Sequence, residues 1–324
     1  MNAGKELRRR VETCEIHHPR FEELLTQLRR RVDEAIDGHL PSIEFVVGPS
    51  RVGKTMLANV LAREYPMVKV GGRRKVPVLK VKIGALVSPS RLPISGLKAL
   101  GIAAPPRDNA GSLTDLLCEQ LKLAETRVVL FEEASHLVEE RAKVTPREVT
   151  DWVKTVVDER EVSAILFGVP RLMTLLQSNA QLFHRSMAAV EFRPYDSKIP
   201  EELKAFASCV RTYAQLFEDA GLPIAVPMNA LVPNCYLQTA GAVGLLSRFM
   251  QELATTFMYL PARPVTFEDC RKTCLRLNPA GHPDFPPFEK PEVAPIALAA
   301  AHGHFIDAAN MTFPSSRRSS ERGR

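Results

Sequence analysis

Gly48-Pro-Ser-Arg-Val-Gly-Lys-Thr55 is a two-glycine turn that closes on a lysine and a threonine. An apolar run, Ile43-Glu-Phe-Val-Val47, precedes it and reads as a short strand, while Met56 to Tyr65 reads as a helix. Between a strand and a helix, Gly48 and Gly53 let the backbone curl until successive N–H groups point inward at phosphate oxygens. The following helix aims its positive end at the same anion. The whole turn is therefore expected to hold a nucleotide: Gly48, Pro49, Ser50, Arg51, Val52, Gly53, Lys54 and Thr55. Lys54 can reach the β and γ phosphates, and the Thr55 hydroxyl can ligate Mg²⁺.

A second strand ends about eighty residues further on, in Val128-Val-Leu-Phe-Glu-Glu133. Two adjacent acids at the end of an apolar strand are costly unless they are paired or hold a metal. Glu132 is assigned to Mg²⁺ and Glu133 to the attacking water, roles that make Glu133 and Lys54 catalytic. A third element is Arg185 in Gln181-Leu-Phe-His-Arg185, just before the last strand. By itself it reads as a surface arginine; the alternative is a cation that reaches the γ-phosphate held by a neighbouring subunit. His17 and His18 read as structural or adenine-adjacent, since no partner stands at metal-site spacing. Cys270 and Cys274 read as buried residues on one helix face rather than a zinc site.

Around these motifs, strands at 76–83, 128–131, 162–167 and 187–192 alternate with helices near 94–100, 112–123, 146–159 and 171–177. The helix at 146 opens on a capping box, Thr145-Pro-Arg-Glu148. Alternation of this kind predicts an α/β fold with a parallel, doubly wound sheet. It spans 41–198, preceded by a helical segment (1–40) that ends at Asp37-Gly38. Helices near 200–220, 238–258 and 266–277 predict a small all-helical lid at 199–278. Six prolines then fall between Pro279 and Pro295, and 279–324 is expected to be a largely disordered tail, with room for a short helix at Ala294–His302. No run approaches the roughly 18 apolar residues that span a membrane, and no apolar segment follows the basic first ten residues. A cytoplasmic protein is expected, without a membrane partner.

The net charge is +6, and its distribution says more than its size. Between Arg63 and Lys98 stand nine bases and one acid, Glu64, a block suited to a polyanion. Arg73, Arg74, Lys75, Lys80 and Lys82 are the expected DNA contacts, with Arg141, Lys143 and Arg147 as a second set. No motif for reading bases is present, so binding to double-stranded DNA should tolerate any sequence and weaken with salt.

The order of these elements resembles the TniB/TnsC family of AAA+ transposition ATPases. The resemblance runs over about 14–277 and rests on several segments: the Gly48–Thr55 turn, Glu132-Glu-Ala-Ser-His-Leu137, Ile165-Leu-Phe-Gly-Val-Pro170, Asn179-Ala-Gln-Leu-Phe-His-Arg185 and Thr239-Ala-Gly-Ala-Val-Gly-Leu-Leu246. It implies an AAA+ core, ATP and Mg²⁺ as ligands, self-assembly into a ring or helical filament around DNA, and assembly-dependent hydrolysis, which the departures named below lead one to expect to be slow. It also implies that the protein links a TniQ-type target selector to a DDE transposase, with Arg185 acting in trans. Two positions depart from the family pattern: Glu132 stands where aspartate is usual, and Gly244 where many lids carry an arginine, with Arg248 one turn on. These departures keep open a nucleotide-binding scaffold that does not hydrolyse ATP, beside a replication-initiator or secretion-type ATPase.

Overall fold

The computed structural model describes residues 3–106, 108–139, 142–178 and 186–309. In chain order they form α1 (Ala3–Glu12), α2 (Pro19–Ile36), β1 (Ile43–Val47), α3 (Lys54–Glu64), β2 (Val68–Val70), β3 (Arg73–Lys75), β4 (Val78–Lys82), α4 (Arg91–Ala99) and α5 (Ala110–Leu123). Then follow β5 (Val128–Glu132), α6 (Pro146–Arg160), β6 (Ser163–Gly168), α7 (Thr174–Ser178), β7 (Val190–Glu191), α8 (Pro200–Asp219), α9 (Met228–Thr239), α10 (Val243–Thr256), α11 (Phe267–Arg276) and α12 (Pro295–Ala308). They divide into two compact units. A sheet unit comprises Pro19–Gly48 and Gly53–Phe192; a helical unit takes the chain up to His18, the turn Pro49–Val52 and everything from Arg193.

In the sheet unit five strands run parallel in the order β4-β5-β6-β1-β7. β1, β5 and β6 are buried along their whole length, as central parallel strands covered on both faces must be. The doubly wound sheet expected from the alternation is present. Buried polar residues interrupt these apolar strands at Glu44, Glu132 and Ser163; Glu44 in β1 meets Arg31 of α2 at 2.5 Å (Oε1 to Nε). Burial pushes the Glu44 carboxyl up from its ordinary range, and the Arg31 guanidinium works against that shift. The capping box of α6 forms as read. Glu148 N–H donates to Thr145 Oγ1 at 3.2 Å, and Thr145 N–H donates to Glu148 Oε2 at 2.7 Å. Beside the main sheet, β2 and β3 form an antiparallel hairpin turned by Gly71-Gly72.

The helical unit differs from expectation in three ways. The segment 1–40 is not one body: it divides at His18. α1 packs on α10 with Leu7 and Val11 fully buried, while α2 belongs to the sheet unit. A helix not read from the sequence, α9, carries Pro233 at its sixth residue, where proline removes a backbone donor and ordinarily breaks a helix. Packing outweighs that cost, since Leu231, Cys235 and Tyr236 are fully buried.

The third correction concerns the tail. From Pro279 to Ala309 the chain is folded. Phe288 is fully buried, stacked on Phe249 at 5.6 Å and tilted against Phe267 at 5.4 Å. Asn234 of α9 grips the same strap from both ends of its amide. Its Oδ1 accepts from Phe288 N–H at 2.5 Å and its Nδ2 donates to the Lys290 carbonyl at 3.1 Å. α12 then buries Ala297, Leu298 and Ala301. The strap runs through turns at 283–284 and 287–288, and burying one phenylalanine ring contributes about 2–3 kcal/mol. Residues 310–324 lie outside the described residues.

Candidate nucleotide and metal site

The Gly48–Thr55 turn leaves the sheet at the C-terminal end of β1, with Gly48 N–H donating to the Gly168 carbonyl of β6 at 3.1 Å. In an open parallel sheet this end is where ligands bind. Gly53 sits at φ +121°, and a Cβ there would stand 3.3 Å from the Phe192 ring, so only glycine fits both backbone and wall. No side chain caps α3, which leaves its first-turn N–H groups directed at the loop. Thr55 is exposed in that first turn.

Lys54 folds back over the turn and donates from Nζ to the Gly48 carbonyl at 2.8 Å. Burial lowers its pKa to about 8, against the opposing pull of the Glu133 charge. A bound polyphosphate favours the ammonium and raises that pKa, so binding takes up a proton at pH above about 8. Nucleotide affinity should therefore fall as pH rises beyond that point, by up to about tenfold per pH unit. Stability without nucleotide moves the other way. The unfolded chain holds more protons between about 8 and 10.5, so the fold gains stability as pH rises through that window. Nucleotide titrations at pH 7, 8 and 9 check the first effect, and melting curves over the same range check the second.

The acid pair ends β5, two places from β1 in the sheet. Glu132 is 5% exposed, and its Oε2 lies 3.2 Å from Lys80 Nζ of β4. Lys80 also donates to Asn59 Oδ1 of α3. Glu133 is exposed and adopts φ 55°, a left-handed conformation uncommon for a non-glycine residue and found where a turn or a functional constraint demands it. Each acid thus has its own lysine: Lys80 beside Glu132, and Lys54 under the charge of Glu133. The candidate metal donors are Thr55 and Glu132, both oxygen ligands, a chemistry that would suit a hard cation such as Mg²⁺.

Four side chains given no individual role by the sequence reading, Ser135, His136, Glu139 and Arg171, buttress this end of the sheet. Ser135 Oγ accepts from Val169 N–H at 2.6 Å, tying the turn after the acids to the end of β6. Glu139 Oε1 lies 2.8 Å from His136 Nδ1 and accepts from Arg171 at 2.6 Å. The sequence signal for two of them was that Ser135 and His136 lie just past the acid pair, within the segment that carries the family resemblance.

Other expected site residues fall as follows. Arg185 and Arg141 lie outside the described residues. Of the remaining DNA candidates, Arg74 donates to the Leu100 carbonyl, Lys75 pairs with Glu125 at 2.7 Å, and Lys80 is engaged as described. Arg73, Lys82, Lys143 and Arg147 are exposed. His18 is buried with Nδ1 2.7 Å from the Tyr195 hydroxyl, in keeping with a structural role. Cys270 and Cys274 are buried in the helical unit, and no metal-binding cluster occurs among the described residues. Gly244 lies against the Arg51 carbonyl, which a Cβ would approach to 2.2 Å; the close approach excludes an arginine there. Arg248 is exposed.

A β4-β5-β6-β1-β7 parallel sheet with a glycine–lysine turn after β1 and an acid pair after β5 defines the AAA+ class of P-loop nucleotide-binding proteins. Residues 10–193 match the family described as Bacterial TniB protein, and the chain belongs to that family. Solved structures share the fold at low identity. The Aeropyrum pernix ORC2 protein in its ADPNP-ADP complexes is 12% identical, with 85% of this chain and 73% of that chain covered and a TM-score of 0.61. Cdc6p from Pyrobaculum aerophilum is 15% identical, with 81% and 69% covered and a TM-score of 0.61. The Aeropyrum pernix ORC1 protein in complex with DNA is 15% identical, with 83% and 69% covered and a TM-score of 0.58. No match was found among curated proteins. No helix among the described residues is long and apolar enough to cross a membrane.

Proposed function

We propose that the protein is an ATP-dependent regulator of transposition that assembles on duplex DNA and links a target selector to a transposase. The observation that carries this reading is the TniB family match, which spans both Lys54 after β1 and the Glu132–Glu133 pair at the end of β5. The Gly48–Thr55 turn binds the phosphates, and Lys54 neutralises them. Thr55 and Glu132 hold Mg²⁺, which supplies charge neutralisation at the phosphates when bound. Glu133 orients and deprotonates the attacking water, and Arg185 of a neighbouring copy completes the site. Hydrolysis therefore rises with assembly and resets it.

Charge supports DNA as the template. No acid stands between Glu64 and Asp108, and Arg73 and Lys82 have no intramolecular partner among the described residues. Likeness to origin-recognition proteins supports the fold alone, so a replication-initiator role has nothing specific behind it. A non-hydrolysing scaffold is the second reading, favoured by the pairing of Glu132 with Lys80; phosphate release with and without DNA separates it from the first.

The test is sedimentation and electron microscopy with ATP and plain duplex. Large assemblies should appear only when both are present, independent of sequence, and DNA affinity should fall linearly on logarithmic axes as salt rises. A particle of unchanged size in all four combinations would overturn the proposal.

A further inference from the structure

The Lys80–Glu132 pair involves one of the two departures from the family pattern, Glu132 where aspartate is usual. Glu132 is the nearly buried acid of the pair, and its carboxylate is held by an ammonium 3.2 Å away on the neighbouring strand. Lys80 is fixed in turn by Asn59 of α3, the helix that begins with the phosphate-binding lysine. β4 pairs with β5 in a register that sets Lys80 opposite Leu130 and Lys82 opposite Glu132. The cation therefore reaches Glu132 diagonally along the strand, a span within range of two long side chains. Glutamate carries one methylene more than aspartate, which extends its reach toward Lys80.

We propose that Lys80 is a positioning residue that sets the metal affinity of this site: its ammonium holds Glu132 and repels an incoming divalent cation. The inference rests on the nucleotide-site reading above. Two positive groups cannot share one carboxylate at low dielectric without loss. Mg²⁺ coordinates only by displacing the lysine or by taking the other oxygen beside it. The site then retains Mg²⁺ weakly until a nucleotide brings its own negative charge. Nucleotide and metal should thus bind as a unit, with little metal held by the protein alone.

The experiment titrates Mg²⁺ against binding of a fluorescent non-hydrolysable ATP analogue, which needs no turnover, DNA or partner. Lys80→Met keeps the length and removes the charge. It should lower the Mg²⁺ concentration at half-effect on the order of tenfold. Lys80→Arg keeps the charge and should stay within about twofold of wild type. Glu132→Asp withdraws the carboxylate from Lys80 and should shift in the same direction as Lys80→Met. Melting curves confirm that each variant is folded. An unchanged or raised Mg²⁺ midpoint in folded Lys80→Met would overturn the proposal, as would equal shifts in Lys80→Met and Lys80→Arg. Absence of any nucleotide binding by the wild type would instead overturn the site reading itself.

Discussion

Lys54→Ala should lose nucleotide affinity on the order of a thousandfold, and with it all ATP-dependent DNA binding. The side chain contributes a full charge and hydrogen bonds to two phosphates, each charge-assisted bond worth about 1.5–3 kcal/mol. Nothing nearby substitutes for it. Arg51 is exposed with φ 67°, and Lys80 is committed to Glu132. The variant should fold normally, because the wild-type ammonium is already disfavoured by burial, as its lowered pKa shows. Fluorescent-nucleotide titration at pH 7 measures the loss, and gel shifts with ATP measure its consequence. Wild-type affinity in this variant, or ATP-driven assemblies that persist, would move the site elsewhere.

Glu133→Gln should have the second largest effect, with the opposite sign for assembly. The amide keeps the size and can still accept a hydrogen bond from water, but it cannot take a proton. Hydrolysis should fall by about 10²–10⁴ while nucleotide stays bound. Assemblies formed with ATP should then persist where the wild type disassembles. Single-turnover phosphate release and the lifetime of DNA-bound particles report the two halves. Ordinary turnover would assign the base to another group, with Glu132 the nearest candidate.

Much of the sheet was legible because its signals are local. β1 was read residue for residue, since an apolar run broken only by Glu44 stands before a two-glycine turn. The acid pair was legible because charge at the end of an apolar strand is costly enough to need a reason. What escaped depended on long-range packing. α9 was hidden by Pro233, whose penalty is visible in sequence while the burial of Leu231 and Tyr236 is not. The strap around Phe288 was read as disordered from its prolines, because no periodicity announces that one aromatic ring will find Phe249 forty residues upstream. The pairing of Lys80 with Glu132 was likewise invisible. Lys80 lay in a basic stretch and was counted with it, and only strand register brings it to the acid.

The helical unit is assembled from both sides of the sheet unit in sequence, and this has a consequence for biosynthesis. Leu7 and Val11 of α1 emerge from the ribosome long before α10, the helix that covers them. At about 5–20 residues per second the wait is on the order of ten to fifty seconds. During it the sheet unit, whose strands all lie between Ile43 and Glu191, can close on its own. α1 meanwhile presents an uncovered apolar face to chaperones and to other nascent chains.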